Sequence, residues 1–280
     1  MNVFRETGLV VLREWQRSFR SARGIAMYAL TLLGGVMSSL AGLWAARRAE
    51  EVEAKVGAEA VEKGLPMLYE LLYRGDVLVA ERLAKAPPSI VITAWASVWL
   101  CPLLVALIGF DSIAAERQHR TVRYYTLRTR RPVYFIGKWL GLWLISATVL
   151  LATQLISWLC DLALVHNSVT TVFTWGPALY LVTLPILAAW SAIATFLGSL
   201  VKTPMIALLL IFGVFGVLWV IGNLPLSEQW HYNSLAYPGS LDHYLLRTDP
   251  QSFGLGLGAC LAFPLVFVGL GTYTFSRAEV

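Results

Sequence analysis

The chain has 280 residues, 57% of them apolar and only 14% charged, with a net charge of +5 and a mean hydropathy of +0.64. A soluble domain carries about a quarter charged residues, whereas here the few charges are gathered into a handful of places with long uncharged runs between. This distribution excludes an ordinary soluble domain, and it assigns the positive balance to the basic flanks of membrane spans rather than to nucleic acid.

A span needs about 20 apolar residues to cross roughly 30 Å of hydrocarbon. Backbone groups in lipid must be paired internally, so only helices or a closed barrel are admissible. The runs are too long and too poor in period-two alternation for barrel strands, so the sequence predicts an all-α integral membrane protein with six transmembrane helices. The N-terminal block, 1–23, places Phe4, Val11, Leu12, Trp15 and Phe19 along one helical face, with Arg5, Arg13, Arg17 and Arg20 largely on others. That is the pattern of an amphipathic helix lying in the membrane interface, its arginines near anionic lipid. The first span follows at 24–46 and is too long for a cleaved signal peptide.

Residues 47–88 form a mixed-charge, Ala-rich segment, expected as two helices broken near Gly64-Leu65-Pro66. Leu68, Leu71, Leu72, Val79 and Leu83 give the second of these an apolar stripe. That stripe serves either a self-packed cap or the docking of an extracytoplasmic partner. The second span is read at 89–110, a basic connecting segment at 111–135, and the third span at 136–164. Gln154 and Asp161 are polar residues inside that span, the usual mark of a pathway. The fourth and fifth spans follow at 175–200 and 204–222, separated by a tight turn carrying Lys202. The segment 223–251 is rich in aromatic residues, as expected at an interface, and the sixth span at 252–275 leads to a short tail, 276–280. Cys101, Cys160 and Cys260 all lie in apolar runs and read as small core residues, with no metal spacing.

Lys and Arg near span ends set the orientation. Arg5, Arg13, Arg17, Arg20, Arg23, Arg117, Arg120, Arg123, Arg128, Arg130, Arg131, Lys138, Lys202 and Arg277 fall on one side of a six-span chain. Most of the remainder lie in the mixed-charge segment, which weighs little. Both termini are therefore expected in the cytoplasm.

The chain lacks the sequence marks of an enzyme. It has no Gly-x-x-x-x-Gly-Lys-Ser/Thr loop for nucleotide, no His-Glu-x-x-His pair for zinc and no Gly-x-Ser-x-Gly elbow. Its spans hold no cluster of acids or histidines for proton coupling. It reads as a protein that moves something without supplying the energy itself. A scaffold that docks a partner through 47–88, without transport, is the alternative.

The most informative stretch runs from Phe110 to Lys138. Ile113, Glu116, Arg117, Thr121, Leu127, Arg131, Pro132, Gly137 and Lys138 match a pattern of Ile-x-x-Glu-Arg/Lys-x-x-Gly-Thr, a Leu-rich turn, Arg/Ser-Pro, then Gly-Lys opening a span. This resembles the segment after the second span of ABC-2 type transporter permeases. The usual Gly before the Thr is Arg120 here, and Arg123 with Tyr124-Tyr125 also departs from the pattern. Tyr237-Pro238-Gly239 with Asp242 is similar to the family's last external element, and Phe275-Ser276-Arg277-Ala278-Glu279 to its habitual ending.

The resemblance implies a type V exporter-like permease fold with an N-terminal interface helix, in a bacterial cytoplasmic (inner) membrane. It implies a second permease copy or a similar permease, and two copies of a separate ATPase that hold ATP and Mg. No cofactor or metal is implied in this chain. Coupling to the ATPase would fall on Glu116, Arg117, Arg120, Thr121, Arg123, Arg131, Pro132, Gly137, Lys138 and Lys202. Tyr237, Pro238, Gly239 and Asp242 would form an extracytoplasmic gate.

Overall fold

A computed structural model describes residues 3–56, 58–121, 124, 129–165, 167–223 and 234–277. Among them every regular element is helical. In chain order these are α1 (Val3–Arg20), α2 (Ala22–Val56), α3 (Ala58–Leu72), α4 (Val77–Leu83), α5 (Pro88–Gly109), α6 (Ala114–Gln118), α7 (Arg131–Cys160), α8 (Val169–Leu200), α9 (Pro204–Asn223), α10 (Asp242–Leu246) and α11 (Pro250–Arg277). Six stretches are long and apolar enough to cross a bilayer. They belong to α2, α5, α7, α8, α9 and α11.

Several helices run past the spans read from the sequence. α2 continues ten residues beyond Ala46, because the polar residues that follow favour helix as well as the apolar ones do. α7 starts at Arg131, with Pro132 in its first turn where a missing N–H costs nothing. Pro132 therefore opens this helix. α7 runs into a π-helical turn at Asp161–Val165. α8 begins at Val169, six residues earlier than the apolar run, because Ser168 caps it by accepting from the Thr171 N–H.

The break expected at Gly64-Leu65-Pro66 is absent, and α3 passes through it. The chain reverses instead at Arg74 and Gly75, both left-handed at φ 61° and 81°. Two consecutive left-handed residues turn the chain sharply, and the Gly does so without steric cost.

The central core lies where α5, α7 and α8 meet, with Trp190 fully buried against Phe215 and Tyr237. α2, α9 and α11 flank it and turn large apolar side chains outward, among them Leu33, Met37, Leu209, Val217, Leu261 and Leu265. Both described chain ends, α6 and the α8–α9 turn sit at one end of the bundle, here the basic end. At the far end, Tyr69, Tyr73, Val79, Ala80 and Leu83 pack onto Ile90, Val91 and Leu246 as a cap. The apolar stripe of α3 and α4 thus divides. Val79 and Leu83 face this cap, while Leu68 and Leu71 are exposed.

Candidate functional site

At the basic end, α1 lies across the start of α7. Glu6, Val10 and Glu14 recur every four residues and so share one face of α1. That face meets the α7 face carrying Tyr134, Gly137, Lys138 and Gly141. A Cβ on Gly137 would stand 2.7 Å from two carbons of Val10, and one on Gly141 would stand 3.0 Å from Glu14 Cβ. The two glycines therefore let α1 approach α7 closely enough for Glu14 to reach Lys138. The opposite face of α1, with Phe4, Leu9 and Leu12, is exposed. Trp15 and Phe19 fasten the bend into α2, their ring centroids 4.6 Å apart, and Phe19 stacks on Tyr28 at 4.5 Å.

The third component is α6. Its end is closed by the Thr121 N–H donating to the Glu116 carbonyl (2.9 Å) and the Arg120 N–H donating to the Arg117 carbonyl (3.2 Å). This pair of bonds is a Schellman closure, which wants a left-handed residue at the position Arg120 occupies. Arg120 has φ 55° there, so an arginine stands where glycine is the unstrained choice. The Thr121 hydroxyl adds a bond to the same Glu116 carbonyl at 3.2 Å. With its backbone fixed in this way, Glu116 projects inward and is buried.

Lys138 joins the three elements. Its ammonium donates to Glu14 Oε1, Glu116 Oε1 and the Ser112 carbonyl, each at 2.8 Å. Its side chain is only 1% exposed. Those three bonds use all three ammonium donors. Glu116 also accepts from Arg17 Nη1 at 3.1 Å and from the Tyr134 hydroxyl. The node thus pairs two carboxylates with two cations. Charges at this depth persist only when paired and hydrogen-bonded, because desolvating an unpaired ion costs several kcal/mol.

The remaining residues expected to couple stand around this node. Arg117 donates to the Ser199 carbonyl, tying α6 to the end of α8. Arg131 donates to the Ser276 carbonyl at 2.8 Å, tying the start of α7 to the end of α11. Phe275 packs there against Tyr134 and Phe135. Arg120 and Pro132 are exposed. Lys202 is exposed in the α8–α9 turn and makes no side-chain bond among the described residues. Arg13 and Arg20 lie on the exposed side of α1. Arg123 lies outside the described residues, as does part of the aromatic segment 223–251. Glu14 and Tyr134 were not singled out in the sequence. The four-residue repeat of Glu6, Val10 and Glu14 was the available signal, overshadowed by the larger aromatic face.

Beside the node is a half-open cavity of about 430 Å³. Glu14, Arg17, Ser18, Ser21, Asp111, Ser112 and Lys138 form its polar side. Leu107, Ile108, Leu142 and Ile145 form its apolar side.

Gln154 and Asp161 lie elsewhere, in a seam joining α2, α5 and α7. Gln154 Nε2 donates to Ser97 Oγ at 3.2 Å, and Thr93 Oγ1 lies 3.0 Å from Ser157 Oγ and 3.1 Å from Ser38 Oγ. Asp161 accepts from Ser89 Oγ and, at 2.9 Å, from Asn167 Nδ2. Gln154 is 0% and Asp161 1% exposed. Both are buried inside the chain, where their hydrogen bonds help hold three spans together.

At the far end, Tyr237 packs over Gly222, and Pro238, Gly239 and Asp242 are buried beside it. Burial pushes the Tyr237 hydroxyl up to about 12. Arg74 lies over the Tyr237 ring at 5.8 Å and donates to the Gly222 carbonyl at 3.3 Å. Arg247 Nε donates to Asp76 Oδ2 at 2.7 Å, and that hydrogen bond raises the arginine's already high pKa. Arg82 donates to the Leu246 carbonyl. The segment around α4 is therefore bonded to the end of α9 and to the end of α10.

A comparison with curated proteins finds no match. The profile of the family described as "ABC-2 family transporter protein" matches residues 9–280, from the docked face of α1 through all six membrane-length helices. The chain belongs to the ABC-2 transporter family and is a multi-pass membrane permease of an ABC transporter.

Proposed function

We propose that this permease works as one of two copies, or beside a similar permease, and that two copies of a separate ATPase drive it. The basic end faces the cytoplasm of a bacterium, and the cargo route runs outward between the two permeases. ATP and Mg are held by the ATPase, and coupling passes through the node of Glu14, Arg17, Glu116 and Lys138. One observation carries this reading. A single buried ammonium bonds the surface helix α1, the short helix α6 and the base of a span, so a push on α6 reaches α1 and α7 together. Arg117 extends the same linkage to α8. Tyr237, Pro238, Gly239 and Asp242 form the closure at the outer end.

The partner is tested by purifying the chain from native membranes. Retention of a P-loop ATPase is expected, and a chain that never recruits one defeats the proposal. Coupling is tested by reversing the charges of Glu116 and Arg117. The variant is expected to keep the ATPase bound while ATP no longer changes the reactivity of a cysteine introduced on α1. An unchanged ATP response would remove the coupling role. The rival reading, a scaffold that docks a partner through 47–88, would rest on the exposed Leu68 and Leu71 of α3, because the α4 part of that segment is spent on the chain's own cap.

A further inference from the structure

We propose that the cavity beside the charge node is a binding site for one membrane phospholipid, held by its phosphodiester. The argument is one of gradient and of available donors. The cavity's polar wall comes from Glu14, Arg17 and Ser18 near the end of α1, from Ser21 in the α1–α2 bend, and from Asp111, Ser112 and Lys138, all at the surface end of the bundle. The Glu14 carboxylate on this wall is already paired with Lys138. The apolar wall comes from Leu107 and Ile108 at the end of α5, and from Leu142 and Ile145 one to two turns deeper into α7 than Lys138. Polar at the surface and apolar toward the membrane centre is the order of a phospholipid's own groups. At about 430 Å³ the cavity lies in the range of small-molecule sites, with room for a headgroup and the upper part of one chain.

Lys138 cannot serve as the anchor, because all three of its donors are used inside the node. Arg17 can. Only its Nη1 donates to Glu116, and among the described residues its other donors take no side-chain or backbone partner. Its side chain is 47% exposed. A guanidinium matches two phosphate oxygens at once, which makes it the appropriate cation for this ligand. Ser18 and Ser21 line the same wall, and Ser21 is held in place by donating to the Ser18 carbonyl and accepting from the Gly24 N–H. The bound lipid would thus share Arg17 with Glu116, so that the membrane itself becomes a member of the node.

The test uses the purified chain in detergent without any ATPase, so its result is independent of the coupling reading. Dioleoyl phosphatidylglycerol, dioleoyl phosphatidylethanolamine, dioleoylglycerol and glycerol phosphate are titrated separately, and bound species are counted by native mass spectrometry. One copy per chain of either phospholipid is expected to be retained, with neither dioleoylglycerol nor glycerol phosphate held. Arg17→Gln is expected to weaken retention about tenfold or more, and Arg17→Lys to restore part of it. Ile108→Trp, which fills the apolar side, is expected to abolish it. Arg5→Gln, on an exposed part of the same helix, should change nothing. Size-exclusion profiles check each variant, and if Ile108→Trp does not fold, the Arg17 pair decides. Retention of glycerol phosphate as strong as that of phospholipid would show a soluble-phosphate site and overturn the proposal. Equal phospholipid retention by wild type and Arg17→Gln would show only annular lipid, and would overturn it as well.

Discussion

Replacing Lys138 by Met removes a charge while keeping most of the side chain's volume. Glu116 keeps Arg17 and the Tyr134 hydroxyl. Glu14 is left with no bonding partner among the described residues, still buried against Gly141. Removing one partner of a buried ion pair costs about 3–5 kcal/mol, because the other charge stays desolvated. The chain can avoid that cost by releasing α1, which returns Glu14 to water and gives up the Val10–Gly137 contact. Local opening of α1 should therefore become easier by about 3 kcal/mol, on the order of a hundredfold in population. A cysteine placed at Glu6, which is buried on the docked face of α1, reports the opening, since a maleimide reaches it once α1 has left α7. Lys138→Met should speed labelling about a hundredfold, and adding Glu14→Leu should return it to near the parent rate. Equal labelling with and without Lys138 would refute the reasoning. Failure of Glu14→Leu to rescue would show that Glu116, not Glu14, is the group left stranded.

Three further outcomes follow from the geometry. Arg120→Gly relieves a left-handed non-glycine residue, a conformation costing roughly 1–2 kcal/mol. Part of this is offset by the freedom glycine gains when unfolded, so the net gain should be about 1 kcal/mol, read as a rise in melting temperature. Arg120→Val should lower it, and equal melting of the two would count against the Schellman closure. Gly137→Leu puts a side chain where Val10 sits, so α1 should become cleavable by protease while the six spans stay folded. Protection unchanged from wild type would disprove the close approach. For Tyr237, the folded pKa lies above the unfolded one of about 10, so its contribution to stability is complete below pH 10 and is lost as pH rises toward 12. The phenolate absorbance of wild type minus Tyr237→Phe should accordingly titrate above pH 11, and a midpoint near 10 would mean that the ring is not buried.

The spans were legible because a bilayer imposes its length directly on composition. Their ends were less so. A helix leaving the membrane meets no physical reason to stop until its caps run out, as α2 does past Ala46 and as α8 does before its apolar run, at Ser168. The reversal near Pro66 was misplaced because proline and glycine raise the odds of a break without fixing one. The observed turn rests on Arg74, a residue that carries no such signal. Glu116, Arg117 and Lys138 could be picked out by the pattern they share with a family. Their partner Glu14, more than a hundred residues earlier, could not, because an acid on an arginine-rich helix looks solvated until its face is seen against α7. Gln154 and Asp161 were recognisable as polar in apolar surroundings, yet polarity alone does not distinguish lining a route from bonding one helix to the next.

The two ends of the chain are fastened by different chemistry, and the difference bears on how the protein can move. At the far end, Asp76–Arg247 and the arginine-to-carbonyl bonds of Arg74 and Arg82 link α4, α9 and α10 at half-buried positions. Individually such bonds are worth about 1–3 kcal/mol, and they can open one at a time. At the basic end, one ammonium serves two carboxylates and a carbonyl, so parting α1 from α7 strands the Glu14 carboxylate and leaves the ammonium a partner short. The basic end therefore favours motion of α1, α6 and α7 together. Between the ends, the Ser, Thr, Gln and Asp seam holds α2 to α5 and α7, which opposes hinging inside the bundle. The compliant surfaces are the outward faces of α2, α9 and α11, which carry exposed apolar side chains such as Leu33, Leu209 and Leu265. A push at the basic end is thus best accommodated by sliding these faces against lipid or a neighbouring permease, with the bundle itself moving as a body.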